Sequence, residues 1–84
     1  GIADIENSYK IYPNPSNGIV NIDGLNPQDA TNIKVYNTQG KIVRVIDVFE
    51  EKIKVDISDL NNGVYLFRIQ DSKGNTNTYT VNKL

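Results

Sequence analysis

The side chains that carry out most enzymatic chemistry are missing here: the 84 residues include no histidine and no cysteine. That removes the usual general base near neutral pH, the thiolate nucleophile and the commonest transition-metal ligands. The serines Ser8, Ser16, Ser58 and Ser72 fall in or beside stretches that read as turns, with no activating partner at a recognisable spacing. Glu50-Glu51 is the one adjacent acidic pair. Consecutive strand residues face opposite sides, so the pair does not converge as the carboxylates of a glycosidase must, and it reads as an exposed loop. "DISDLNNG" (56–63) offers Asp56, Asp59 and Asn61 as oxygen ligands for calcium. It lacks the EF-hand order and a closing acidic residue, whereas Asp and Asn fill turns simply by bonding their own backbone. Tyr9, Tyr12, Tyr36, Tyr65 and Tyr79 could stack on a sugar, but Tyr65 and Tyr79 fall at core positions, which leaves few for a glycan surface. No catalytic residue, metal or cofactor is expected.

Composition narrows the partners. Nine basic and ten acidic residues give a net charge of −1, spread along the chain. No basic stripe is present to neutralise phosphates, so nucleic acid is not an expected partner, and no polybasic segment suits an anionic membrane. The longest apolar run, Val64-Tyr65-Leu66-Phe67, is far short of the ~20 residues of a spanning helix. The chain does not begin with Met and is expected to be a piece of a longer protein, so a missing leader says nothing about export. A single small domain without disulfides must hold by packing alone.

The elements that position these residues follow from a period of two between turn signals. Seven strands are expected: Ser8–Tyr12; Ile19–Asp23, with Val20 and Ile22 on one face; Asn32–Tyr36, with Ile33 and Val35 opposed to Lys34 and Tyr36; Lys41–Phe49; Lys52–Ile57, with Ile53, Val55 and Ile57 inward; Val64–Gln70; and Thr76–Lys83, with Tyr79 and Val81 inward. The sixth is apolar on both faces up to Arg68, as a central strand would be. "NTQG" (37–40) and "DSKGN" (71–75) turn the chain. No stretch has a helical period. The expected domain runs over residues 9–84, with 1–8 as a flexible linker.

Two short stretches say more. In "YPNPSNG" (12–18) the prolines hold Tyr12 and Asn14 out of the α region, and Ser16-Asn17-Gly18 suits a tight turn. In "DLNNGVY" (59–65) Tyr65 stands where a loop enters a central strand. A tyrosine at such a corner fills core with its ring and bonds its hydroxyl back to the incoming loop. That corner favours an all-β, immunoglobulin-like antiparallel β-sandwich over a closed barrel.

"YPNPSNG", "IKVYNTQGKIV" (33–43) and "ISDLNNGVYLFRI" (57–69), in that order, resemble the C-terminal sorting domain of type IX secretion cargo proteins (type A). Each motif alone is common, whereas the ordered set is fairly specific, and the resemblance covers residues 9–84. Pro13, Asn14, Pro15 and Gly18 match the opening PNP turn, Gly40 the mid-domain hairpin, and Gly63 and Tyr65 the L-x-x-G-x-Y corner. Gly74 and Lys83 fall near the last turn and the basic tail, although "NTNTYTVNKL" has a single lysine where the family's last strand is rich in them. Lys83 is expected to be solvated, with Lys83→Ala changing stability by no more than about 0.5 kcal/mol.

The resemblance implies a secretion signal and not an enzyme. Its implied partners are the type IX secretion machinery, an outer-membrane shuttle protein and a sortase-like cysteine protease that cuts before the domain, on the side of "GIADIENS" (1–8). The cargo would pass through the periplasm and become secreted or surface-bound. The domain itself would be a monomer that neither inserts in a membrane nor binds nucleic acid. The other reading is an immunoglobulin-like accessory or glycan-binding module of a secreted enzyme or adhesin.

Overall fold

Among the described residues, alternation of apolar and polar residues produces seven strands: β1 (Lys10–Tyr12), β2 (Ile19–Asp23), β3 (Ala30–Tyr36), β4 (Ile42–Asp47), β5 (Ile53–Asp56), β6 (Gly63–Asp71) and β7 (Thr76–Lys83). The computed structural model describes residues 9–84; the linker expected over 1–8 lies outside the described residues. A three-stranded sheet in the order β1-β2-β5 packs on a four-stranded sheet in the order β4-β3-β6-β7, and every pairing between named strands is antiparallel. β3 and β6 are the inner strands of the larger sheet, as the apolar character of β6 requires.

One face of each sheet builds the core. Val20 and Ile22 from β2, Val55 from β5 and Ile57 just after it cluster with Ile33 and Val35 from β3, Tyr65, Phe67 and Ile69 from β6, and Val81 from β7. The period of two turns these side chains inward, with Phe67 and Ile69 following Tyr65 at alternate positions of β6. At about 25 cal/mol per Å² of apolar surface removed from water, this interlayer is the main favourable contribution in a chain with no cross-links.

Strand ends differ from the expected ones where loops take over the backbone bonds. β3 begins at Ala30, which is buried and pairs with Asp71 ahead of a register shift. β4 is shorter than Lys41–Phe49, because the Lys41 amide bonds the Asn37 side chain in the hairpin loop and Phe49 projects into solvent. β5 ends at Asp56, after which Ile57 N–H bonds the Gly18 carbonyl beyond the start of β2. The first strand is limited to Lys10–Tyr12, and Ser8 lies outside the described residues.

The expected solvation of Lys83 is incorrect. Only 6% of its surface is exposed. The period of two that turns Tyr79 and Val81 inward turns Lys83 inward as well, so its aliphatic stem continues the inner face of β7.

Candidate recognition surface at one end of the sandwich

Antiparallel pairing gathers most of the motif residues at one end. Tyr12 pairs with Asn21, Ile19 with Asp56, and Gly63 with Lys83, so the exits of β1, β5 and β7 and the entries of β2 and β6 share that end. The hairpin that contains Gly40 joins β3 to β4 beyond the Tyr36–Leu66 pair, on the same end. Gly74 closes the β6–β7 turn at the opposite end and is therefore not brought together with the others.

The Pro13–Gly18 segment leaves β1 and crosses from the small sheet to the outer edge of β7. Both prolines follow cis peptide bonds. Asn14 then serves as a substitute for a strand: its Nδ2 donates to the Thr80 carbonyl (2.9 Å), and its Oδ1 accepts from the Asn82 amide (3.0 Å). Ser16 continues in the same direction, parallel to β7, donating its N–H to the Asn82 carbonyl and accepting from the Leu84 amide, each at 2.8 Å. A sheet edge with unpaired amides and carbonyls invites other chains; here four of those groups are occupied from within.

Ser16 is almost wholly buried, and its hydroxyl closes the turn behind it by donating to the Ile19 carbonyl (2.9 Å) and accepting from the Gly18 amide (3.2 Å). Gly18 has a φ of +147°, and a Cβ there would lie 3.0 Å from the Cβ of Ser58. A side chain at this position would meet both backbone strain and a clash, so the glycine of the PNP turn permits close approach to the 56–63 loop.

That loop is tied in turn. The Tyr65 hydroxyl donates to the Asn61 carbonyl at 2.6 Å while its ring is 6% exposed, as the corner argument requires. Lys83 Nζ donates to Asn62 Oδ1 at 3.3 Å, which fastens the loop to the end of β7. Asp56 Oδ1 accepts from both the hydroxyl (2.6 Å) and the amide (2.8 Å) of Ser58. Those two bonds, the hydroxyl first, hold the Asp56 carboxyl below the ordinary carboxylate range. Asp59 forms an ion pair with Arg44 of β4, which lowers its pKa as well. The oxygens read as possible calcium ligands thus close a turn, pair with a guanidinium and receive a phenol.

Four residues that matter here gave little sign in the sequence. Ser16 looked like any turn serine, Asn62 like any loop asparagine, and Leu84 like a chain end. Arg44 sits between two valines in an alternating strand, yet its side chain reaches the Asp56 carbonyl as well as Asp59. Only Arg44 left a usable signal, a charge on the inward parity of a strand.

Comparison with known proteins gives consistent results. Residues 10–83 match the family described as the secretion system C-terminal sorting domain. Beta-agarase D of Zobellia galactanivorans is 33% identical over 67 residues, which is 80% of this chain and 13% of that protein. A solved structure of PorZ of Porphyromonas gingivalis, described as an essential bacterial surface component of the type-IX secretion system, superposes on 100% of this chain and 12% of its own with a TM-score of 0.75. At 20% identity that likeness shows the fold, an immunoglobulin-like sandwich. The chain thus spans about an eighth of each of these larger proteins.

Proposed function

The chain belongs to the family of secretion system C-terminal sorting domains, and we propose that the motif-bearing end of its sandwich is the surface by which it is sorted. The domain is the type IX secretion signal of a secreted or cell-surface cargo protein. The observation that supports the proposed surface is convergence: Pro13, Asn14, Pro15, Gly18, Gly40, Gly63, Tyr65 and Lys83 come from four separate loops and strand ends, yet occupy one end. On this reading Asn14 and Lys83 hold that surface together instead of touching a partner, and Gly74 belongs to the fold alone.

The rest of the pathway is inferred from the family resemblance. The cargo crosses the periplasm, the folded domain is read by the secretion machinery and its outer-membrane shuttle, and a sortase-like cysteine protease cuts on the side of residues 1–8. The domain acts by being bound, without catalysis of its own. The test is to fuse residues 1–84 behind a signal peptide and an inert reporter in a host carrying this secretion system. Export of the reporter is the expected result. A fusion that folds and stays in the periplasm overturns the sorting surface and leaves the accessory-module reading.

A further inference from the structure

The outer face of the four-stranded sheet lies apart from the motif end and carries an arrangement that the sorting motifs do not explain. Lys34 on β3 stands directly opposite Arg68 on β6. Like charges directly opposed across a ladder destabilise it. Among the described residues the ion pair that forms joins Arg44 to Asp59, so no described carboxylate pairs with Lys34 or Arg68. Asp47, the acid on that face of β4, lies diagonal to Lys34 and makes no ion pair with it. Two cations therefore face each other on this sheet with no described carboxylate between them.

Arg68 is also arranged in advance. Its guanidinium carbon lies over the Tyr36 ring, 5.0 Å from the centre, a cation–π contact that holds the group over this face, and a guanidinium there can meet a carboxylate in a bidentate manner. Apolar side chains surround the pair: Val45, opposite Lys34, is 58% exposed, and Leu66 stands opposite Tyr36. A sheet face with an aromatic, an arginine, an exposed valine and a half-buried leucine has the composition of a protein interface.

We infer that this face docks an acidic segment of a partner protein, one carboxylate bridging Arg68 and Lys34 while neighbouring residues cover Val45 and Leu66. The charge complementarity selects the occupant. Two cations in a domain of net charge −1 are too few for a polyanion such as nucleic acid, which needs a row of them, and a bare phosphate would leave the apolar neighbours uncovered. The inference does not depend on the sorting reading, because binding is measured on the isolated chain.

The experiment follows the backbone amides of the 84-residue chain by NMR while a blocked oligoglutamate peptide is added, with inorganic phosphate and an oligolysine peptide as parallel titrations. Saturable shifts centred on Lys34, Tyr36, Arg68 and Thr78, which pairs with Arg68 across β6 and β7, are expected from oligoglutamate, and they should weaken as salt screens the contact. Arg68→Gln should weaken binding about tenfold, the usual consequence of losing one hydrogen bond to a charged group, and Lys73→Gln in the β6–β7 turn should leave it unchanged. Both positions are exposed, so the remaining spectrum reports whether the fold is intact. Shifts centred on Lys52 and Lys54 instead, unchanged binding in a folded Arg68→Gln, or phosphate saturating the same amides as tightly as the peptide would each overturn the inference.

Discussion

Two bends rich in asparagine, serine and glycine, Pro13–Gly18 and Asp71–Asn75, use their polar groups in opposite ways. In the second, the organising side chain stays within the turn, although the Ser72 amide reaches out to the Asp29 carbonyl: Asp71 Oδ1 accepts from the amides of Lys73 (2.9 Å) and Asn75 (2.8 Å), two and four residues ahead. The first reaches across the molecule, and Asn14 bonds residues 66 and 68 positions away in sequence. The Asp71 side chain needs only residues of its own turn, so its loss is felt locally. A segment that bonds a distant strand forms its contacts only when both parts are in place, so its loss reports on the assembled fold.

The comparison can be tested by substitution. The largest effect is expected at the corner beside the Pro13–Gly18 segment. Tyr65→Ala removes a buried ring and should cost about 3–5 kcal/mol in denaturant unfolding, a large share of the stability of a small domain. Tyr65→Phe retains the ring and loses the bond to Asn61, for about 1 kcal/mol; equal losses in the two variants would show that packing at the corner is unimportant.

Next comes Lys83→Ala, which should destabilise by about 1–2 kcal/mol through its buried stem, more than a solvated lysine would. Lys83→Met, which keeps most of the packing, should recover the greater part. If Lys83→Ala unfolds at the same denaturant concentration as the parent, the tail is not part of the fold. Asn14→Ala removes both bonds to β7 and should cost about 1 kcal/mol, with faster hydrogen exchange at the Asn82 amide, far away in sequence. The matching change in the other bend, Asp71→Ala, should accelerate exchange only at Lys73 and Asn75. Were each variant to disturb the same amides, the distinction between the two bends would fail.

The smallest effect is in pH dependence. The bonds from Ser58 lower the folded-state pKa of Asp56 relative to the unfolded chain. Its contribution to stability is therefore present above the ordinary carboxylate range and is lost as the pH falls through the lowered folded value. Melting temperatures measured from neutral to acid pH should fall less steeply for Asp56→Asn than for the parent, and parallel curves would mean that the Ser58 bonds do not distinguish the two states.

Seven strands, the inward set Val20, Ile22, Ile33, Val35, Val55, Ile57 and Val81, and the Tyr65 corner were legible in the residue order, because a period of two and a loop-to-strand junction are local patterns. The same period already placed Lys83 inward, and its charge concealed this: a lysine near a chain end looks solvated until a neighbouring loop supplies Asn62. What residue order alone determined, then, is which side chains each strand offers to the core and where the chain must turn. The tertiary structure decided what the turns do with their polar atoms. A hydrogen bond between Asn14 and Thr80 depends on two sheets packing in one register, and no spacing within either segment encodes it. For the same reason, the convergence of the PNP turn, the corner loop and the end of β7 exists only in the assembled sandwich.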